Sequence, residues 1–181
     1  MKRLYYYLII LCLLFASCNK DEEKPKYEGE VILTSEKVTW GDDYNTQGFS
    51  FEKGENVPFP HTTNGVVPDL VVTHFMDDYN INLKVTFTSP NNTEAFYLNQ
   101  TASNADEAKS WYDNYLEVTA TNFIALADSI KINQIWTVQT VNKKYTKLLV
   151  REIKLLTDSP VDEYVEVKVS YKYQPDGSRN F

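Results

Sequence analysis

Residues 161–173 alternate between apolar and polar side chains, and this alternation constrains the fold more than any other feature of the sequence. Successive side chains of a β-strand point to opposite faces of a sheet. One face would carry Val165, Val167, Val169, Tyr171 and Tyr173, and the other would carry Glu166, Lys168, Ser170 and Lys172. The pattern predicts an antiparallel strand that is buried on one face and hydrated on the other.

Other β-rich segments recur along the chain. Segments 130–140 and 145–156 precede the alternating strand, and turn-forming residues at 141–144 and 157–160 separate the three, which predicts a three-stranded meander. Earlier candidate strands are 30–34, 37–40, 48–52, 70–75 and 81–89. Segment 70–75 is apolar on both faces and is expected to lie in the centre of a sheet.

One segment departs from the β pattern. The residues Ser103-Asn104-Ala105-Asp106 are typical of a helix N-terminus, and apolar side chains at helical spacing follow through residue 118. They are Ala108, Trp111, Tyr112, Tyr115 and Leu116. A second helical turn is expected at 122–128. The sequence thus predicts a mainly β fold, an antiparallel β-rich single domain with a short helical insertion.

The first 18 residues indicate export and lipidation. A positively charged start, residues 1–3, precedes an uncharged and mostly apolar stretch at 4–15, as in a signal peptide. This stretch is shorter than the about 20 residues that a helix needs to cross a bilayer. Two small residues then precede Cys18, which allows a lipoprotein signal peptidase to cut before a lipidated cysteine. We expect residues 1–17 to be removed and Cys18 to anchor the chain in outer-membrane lipid, with a plain secretory signal as the alternative.

The residues after Cys18 are strongly polar. Lys20 is followed by Asp21, Glu22 and Glu23, a pattern that resembles the export signal of surface lipoproteins in gut- and mouth-dwelling anaerobic Gram-negative bacteria. The alternative is a solvated tether, since so polar a segment buries nothing, and the two interpretations are compatible. We expect a lipidated acidic tether at 18–27, a β-rich binding domain at 28–181 and a location on the outer membrane facing the cell exterior.

Charge and cysteine content exclude several classes of function. The chain has a net charge of −7, and loss of Lys2 and Arg3 with the signal peptide leaves 16 basic and 25 acidic residues, a net charge of −9. Nucleic acid is a poor partner for an anionic chain. Cys12 leaves with the signal peptide and Cys18 is acylated, so we expect no disulfide, thiolate metal site or cysteine nucleophile.

No catalytic motif is convincing in this sequence. Ser50 and Lys53 have the spacing of a serine–lysine nucleophile pair, but they fall in a predicted strand and turn without the companion motifs. Residues 78–82 begin like a calcium loop, but Leu83 occupies the position where that loop requires glycine. The chain also lacks a phosphate-binding glycine loop. We therefore expect a protein that is not an enzyme.

The C-terminal part of the chain carries a family resemblance. The residues "YKYQPDGSRNF" end the chain directly after the alternating strand, and "IWTVQTVNKKYTKLLV" lies upstream. Both are similar to segments of the HmuY-like haem-binding lipoproteins, with Thr140 before a turn and Tyr145 and Lys147 after it. The family usually has glycine in that turn. The similarity covers 134–181, with a looser one from residue 48 through "TTNGVVPDLVV", and Phe181 is expected to fold back onto the domain.

This resemblance implies a β-rich surface lipoprotein that captures haem and passes it to an outer-membrane, TonB-dependent receptor. In the family, two histidine or methionine side chains bind the iron from opposite sides. The segments near Leu98 and Lys131, where the family places its pair, contain neither residue type. His61, His74 and Met76 are the histidine and methionine residues of the mature chain, so they are the candidate haem ligands.

Geometry limits how these three side chains can act. Two trans ligands hold their donor atoms about 4 Å apart across the iron. His74 and Met76 are two residues apart on one predicted strand, so they share a face about 7 Å apart and are poorly placed to be trans to each other. His61 falls in a predicted loop and is freer to pair with either. The simpler interpretations are a hydrogen-bonded strand histidine, a core methionine and an ordinary loop residue.

Two other functions stay open. Trp40, Trp111 and Trp136 could form stacking platforms for a surface glycan, although Trp136 falls in a predicted strand and Trp111 on the apolar side of the predicted helix, positions more typical of a core. The domain could instead be a scaffold or adhesin subunit without a small ligand. Two solvent-facing tryptophans would favour sugar, and a closed apolar cleft beside His61 or a tyrosine would favour haem. Asp128-Ser129-Ile130 also fits the short O-glycosylation pattern of such bacteria, which matters only if Ser129 is exposed.

Overall fold

The computed structural model describes residues 27–40, 43–60, 65–76, 83–159 and 162–181, which form two antiparallel β-sheets and one α-helix. The strands are β1 (Glu28–Thr34), β2 (Val38–Trp40), β3 (Asp43–Ser50), β4 (Glu55–Phe59), β5 (Leu70–Met76), β6 (Leu83–Thr88), β7 (Phe96–Thr101), β8 (Leu126–Ala127), β9 (Gln134–Gln139), β10 (Tyr145–Ser159) and β11 (Asp162–Gln174). The helix is α1 (Ala105–Asn114). The prediction of a mainly β domain with a short helix is confirmed.

The first sheet contains the predicted meander. Its strand order is β1-β11-β10-β9-β7, so the three consecutive strands β9, β10 and β11 are neighbours. The pairing of β10 with β11 runs from Tyr145 opposite Gln174 to Ser159 opposite Asp162, with an irregularity between Val150 and Glu152. This hairpin is the longest strand pairing of the sheet.

The alternating strand β11 has the two faces that its sequence predicts. The five apolar side chains of its odd positions are at most 3% exposed and contribute to the main core. The opposite face is partly exposed and forms ion pairs with β1, where Lys168 Nζ lies 2.7 Å from Glu30 and Lys172 Nζ lies 3.6 Å from Glu28. Such exposed pairs contribute little stability, so burial of the odd face is what fixes this strand.

The second sheet has the order β2-β3-β5-β6-β8, and β4 pairs with β3. As predicted, β5 is an inner strand, lying between β3 and β6. Val71 and Val72 are buried, so the first half of β5 is covered on both faces. The expectation of two covered faces is wrong for its second half, because Phe75 is 60% exposed.

The main core lies between the two sheets. It combines buried residues of β3, β5 and β6 with the inner faces of β1, β9, β10 and β11. Phe49 at the end of β3 meets Tyr171 with ring centres 5.1 Å apart, and Phe51 stacks on Tyr173 at 6.1 Å. Each large apolar side chain buried in this way contributes about 1.5–3 kcal/mol. The domain is therefore a β-sandwich stabilised by a layer rich in aromatic residues.

The outer face of the first sheet is also covered. Ala108 of α1 packs with Ile135 and Leu149, while Val118 and its neighbours pack around Tyr145. Every residue of β9 is consequently buried. Phe181 packs in the same layer, which confirms that the last residue folds back onto the domain.

The helix α1 begins where the sequence predicts and ends earlier. The Asn104 side chain accepts a hydrogen bond from the Glu107 N–H at 2.9 Å, and the Glu107 carboxylate accepts from the Ser103 N–H at 2.9 Å, which caps the N-terminus. The helix ends at Asn114, and Lys147 Nζ donates to the carbonyls of Tyr112 and Tyr115. In a longer helix, those carbonyls would accept from backbone N–H groups four residues later.

The second helical turn expected at 122–128 is wrong. Ile124 forms a β-bridge with Phe96, and β8 adds to the edge of the second sheet beside β6. The apolar residues at these positions pair with two different sheets, so the segment links the sheets instead of forming a helix.

Candidate functional site

His74 joins the two sheets near the end of β5. Its Nδ1 lies 2.8 Å from Ser35 Oγ, and Ser35 follows β1 in the opposite sheet. Ser35 is itself fixed, because its hydroxyl oxygen accepts a hydrogen bond from the Val165 N–H at 2.9 Å and its own N–H donates to the Val165 carbonyl at 3.0 Å. The imidazole is therefore oriented through one nitrogen by a rigid backbone.

The surroundings of His74 favour its neutral form. Partial burial is the largest effect and lowers the pKa of the imidazole below its ordinary value. Lys37 lowers the pKa further, and Glu163 acts in the opposite direction. A neutral imidazole has a lone pair on one nitrogen, which is the form that binds a metal. Within the described part of the chain, Nε2 has no hydrogen-bond partner.

The other candidate ligands differ in what the structure describes. Met76 is partly buried and lies opposite Leu83, two residues from His74 on the same strand. His61 lies outside the described residues, as do Cys18 and the acidic segment Lys20, Asp21, Glu22 and Glu23. The structure thus brings His74 and Met76 to one side of β5, the arrangement that makes a trans pair difficult.

Ser35 is a site residue that sequence reasoning missed. It lies in a short connection between β1 and β2, 39 residues before His74 in the chain. A lone serine in such a connection has no distinguishing pattern. Its contact with His74 arises only because β1 and β5 belong to sheets that face each other.

The three residues that carry the family resemblance have structural partners. The Thr140 N–H donates to the Lys144 carbonyl and the Thr140 carbonyl accepts from the Lys143 N–H, both at 2.9 Å, which closes the β9–β10 turn. The Thr140 hydroxyl also accepts from the Lys144 N–H at 3.2 Å. Tyr145 packs against Phe123. Lys147, which is 4% exposed, binds the C-terminal end of α1. In this domain, Thr140 thus shapes the turn, and Tyr145 and Lys147 bind the helix and the segment that cover the first sheet.

The two tryptophans whose side chains the structure describes, Trp111 and Trp136, lie in different environments. Trp136 is 3% exposed, and its indole N–H donates to Gln134 Oε1 at 3.1 Å, as predicted for a core residue. Trp111 is 45% exposed, so the expectation that it packs in the core is wrong. The side chain of Trp40 lies outside what the structure describes.

Two further sequence hypotheses concern polar residues. Ser50 accepts a hydrogen bond from the backbone N–H of Lys53 at 3.4 Å, which is a turn contact and not a contact with the lysine ammonium group. The calcium-like segment 78–82 lies outside the described residues. Ser129 is exposed, with φ of 54°. Its hydroxyl is therefore accessible for the O-glycosylation that the residues Asp128-Ser129-Ile130 suggest.

The described residues line several clefts, three of which are considered as candidate sites. These three have volumes of about 370, 490 and 470 Å³. Polar and charged side chains contribute to all three, and no histidine or methionine lines them. None of the three is the closed apolar cleft that would favour haem.

The described part of the molecule defines a two-sheet antiparallel β-sandwich with a helix on one outer face. No protein-family model matches the chain, and no curated protein matches it. The similarity to HmuY-like lipoproteins therefore stays a prediction. Within the described ranges, no cluster of three or more histidine, cysteine, aspartate or glutamate side chains is placed to bind a metal, and no helix has the length and hydrophobicity to cross a bilayer.

Proposed function

We propose that this chain is a surface lipoprotein, not an enzyme, that binds haem or a related tetrapyrrole and passes it to an outer-membrane uptake system with a TonB-dependent receptor. The observation that supports this proposal is the environment of His74. Its neutral imidazole is held through Nδ1 by Ser35, and Nε2 has no partner within the described residues. Histidines that bind metals commonly use one nitrogen for the metal and the other for such a hydrogen bond.

In this role, His74 donates its Nδ1–H to Ser35 Oγ, and its Nε2 would hold the iron of the tetrapyrrole. Lys37 lies near enough to lower the pKa of His74 and could pair with a carboxylate of the tetrapyrrole. His61 would be the second residue to hold the iron, because Met76 is on the same side of the same strand as His74.

A titration with hemin tests the proposal. Protein comprising residues 19–181, which retains every described residue, is titrated while the Soret and visible bands are recorded in the oxidised and the dithionite-reduced states. We expect a saturable one-to-one shift in the wild type. His74→Ala should abolish the shift, and Ser35→Ala should weaken binding because the imidazole loses its orienting contact.

His61→Ala tests the proposed second ligand, since it removes the other histidine of the mature chain. Loss of the Soret shift in both histidine variants would identify a bis-histidine site, and loss in His74→Ala alone would leave the second ligand to another residue. Circular dichroism checks that each variant keeps its β structure. Absence of any shift in the wild type, in both redox states, would reject iron-ligated haem as the ligand.

A further inference from the structure

A cleft of about 470 Å³ lies at the end of the sandwich that is remote from His74. The β9–β10 turn meets the C-terminal tail there, and we call it the turn–tail cleft. Its lining includes Glu94, Asn122, Phe123, Gln139, Lys143 and Arg179. Tyr145 begins β10 beside this cleft, whereas Leu155 lies opposite Val165, which bonds Ser35. Ten strand residues correspond to roughly 30 Å, so the cleft and His74 are separate sites.

The ammonium group of Lys143 is fixed at the edge of the turn–tail cleft. Its Nζ donates to Gln139 Oε1 at 2.8 Å and to Glu94 Oε2 at 3.1 Å. Gln139 is only 6% exposed, and its Nε2 donates to the Tyr145 hydroxyl at 3.2 Å, so this amide is held in place. An ammonium group has three N–H donors, which leaves one for a ligand.

The guanidinium group of Arg179 is fixed on the tail side of the same cleft. Nε donates to the Val118 carbonyl at 2.7 Å, Nη2 donates to the Ala120 carbonyl, and the group lies 5.3 Å from the centre of the Tyr145 ring. A guanidinium has five N–H donors, and these two bonds leave three without partners in the described part of the chain. Two cations and one carboxylate thus line a cleft on a chain whose net charge is −7.

An aromatic ring, that of Phe123, also lines the cleft. Phe123 is partly exposed, and its ring centre lies 6.2 Å from those of both Tyr97 and Tyr145, which hold it in position. Asn122 is exposed beside it and presents an amide with both donors and an acceptor. The cleft therefore combines a partly exposed ring, fixed positive charge and neutral hydrogen-bonding groups.

We propose that the turn–tail cleft binds a saccharide that carries carboxylate groups, such as a uronate oligosaccharide. The carboxylate pairs with Lys143 and Arg179, the C–H face of a sugar ring packs on Phe123, and the sugar hydroxyls bond to Asn122 and Glu94. An apolar ligand would remove both cations from water with only the Glu94 carboxylate to balance them, which is unfavourable. This site is independent of the tetrapyrrole proposal, in location and in chemistry.

The test uses ¹⁵N-labelled protein comprising residues 19–181, titrated with trigalacturonic acid at low ionic strength. We expect saturable shifts of backbone amides around 120–123, 139–144 and 179. Galactotriose, the neutral counterpart, should bind about tenfold more weakly, and tricarballylate, a tricarboxylate without a sugar ring, should show no saturable binding. Added salt should weaken the interaction with trigalacturonic acid, because charge pairs near the surface are screened.

Lys143→Gln should weaken binding of trigalacturonic acid about tenfold, the effect of losing one charge-assisted hydrogen bond. Lys109→Gln is the matched control, because Lys109 is also an exposed lysine paired with a carboxylate, with side-chain exposures of 62% for Lys109 and 59% for Lys143. No saturable binding of trigalacturonic acid, equal binding of tricarballylate or galactotriose, or equal effects of the two substitutions would each overturn the proposal. The hemin titration neither supports nor contradicts it, because hemin is tested against His74.

Discussion

Asp69 is a carboxyl group whose burial opposes its ionisation. It precedes β5, lines the 370 Å³ cleft beside the β3–β4 turn, and accepts a hydrogen bond from the Phe51 N–H at 2.9 Å. Burial is the largest effect and raises the pKa of Asp69 to about 6, although the Phe51 contact acts in the opposite direction. The protonated form is therefore favoured by folding, because the unfolded chain has a pKa near 3.9.

The pKa of Asp69 predicts how stability changes with pH. Between about pH 4 and pH 6 the folded state binds the proton more tightly, so the free energy of unfolding falls as pH rises through this window. Asp69→Asn keeps the shape and an acceptor for the Phe51 N–H but cannot ionise. We expect the variant to match the wild type near pH 4 and to be more stable at pH 8. The expected difference is about 3 kcal/mol, because the pKa of Asp69 rises from about 3.9 to about 6 on folding. Urea denaturation at pH 4, 6 and 8 measures this difference.

Asp176→Asn supplies a control of opposite sign. Hydrogen bonds from Ser178 lower the pKa of Asp176, so its carboxylate contributes stability that is lost as pH falls. That variant should lose stability relative to the wild type at pH 8. A less stable Asp69→Asn variant at pH 8 would show that the Asp69 carboxylate stabilises the β3–β4 turn.

The C-terminal end of α1 is bound to the sheet by Lys147 of β10. Lys147 of β10 donates to the carbonyls of Tyr112 and Tyr115 at 2.8 and 2.9 Å, and its ammonium group lies 4.7 Å from the centre of the Tyr112 ring and 5.3 Å from that of Phe181. These contacts satisfy carbonyl groups at the helix C-terminus and bring the positive charge to the negative end of the helix dipole.

Lys147→Met should loosen this end of the helix. Methionine keeps most of the apolar stem but leaves two carbonyl groups without their donor, so we expect a loss of about 2–4 kcal/mol in the free energy of unfolding. Hydrogen exchange should also become faster in α1 than in β10. Lys172→Met is the control, since Lys172 is a partly exposed lysine of the adjacent strand, and its loss should cost less than about 1 kcal/mol. Equal stabilities of the two variants would contradict the role given to Lys147.

The sequence predicts strands best where one face is apolar and the other polar. β9, β10 and β11 follow from alternation and turn residues, and the N-terminus of α1 follows from Asn104 and its neighbours. β7 was missed because its outer face is polar and yet covered, with the Asn99 side chain donating to Thr137 at 2.9 Å. β4 was missed because Pro58 is typical of a loop, and it is tolerated where β4 pairs only with β3.

The sequence could not predict contacts between distant parts of the chain. The end of α1 is bound by Lys147, 33 residues after Asn114, and the exposure of Trp111 follows from how the helix rests on β9 and β10. The turn–tail cleft combines residues from positions 94 to 179, and the contact of His74 with Ser35 spans 39 residues. The family resemblance and the residue types predicted candidate ligands, and only the fold shows which side chains are neighbours.

The whole domain has two different ends, and the chain enters at one of them. Glu28, the first residue of β1, lies opposite Lys172, near the start of β10 and the turn–tail cleft. β1 then runs toward Ser35 and His74 at the far end. Tyr27 lies nine positions after Cys18 in the chain, a span of at most about 30 Å. If Cys18 is lipidated, the tether joins the end of the domain that carries the turn–tail cleft, and His74 lies at the opposite end.

This arrangement requires that Cys18 be lipidated. Cys18→Ser should abolish incorporation of labelled palmitate and release the protein from the membrane fraction, because acyl chains contribute about 0.8 kcal/mol for each buried methylene and no other strong anchor is expected. Cys12→Ser is the matched control, and it should leave lipidation unchanged since Cys12 lies within the expected signal peptide.

A third variant separates anchoring from surface display. Replacing Lys20, Asp21, Glu22 and Glu23 by alanine should preserve palmitate labelling but protect the protein from protease added to intact cells, because the expected export signal is lost. Continued membrane retention of Cys18→Ser would contradict the lipid anchor. Unchanged protease sensitivity of the alanine variant would instead show that the acidic segment is only a solvated tether. Surface display would then depend on another signal.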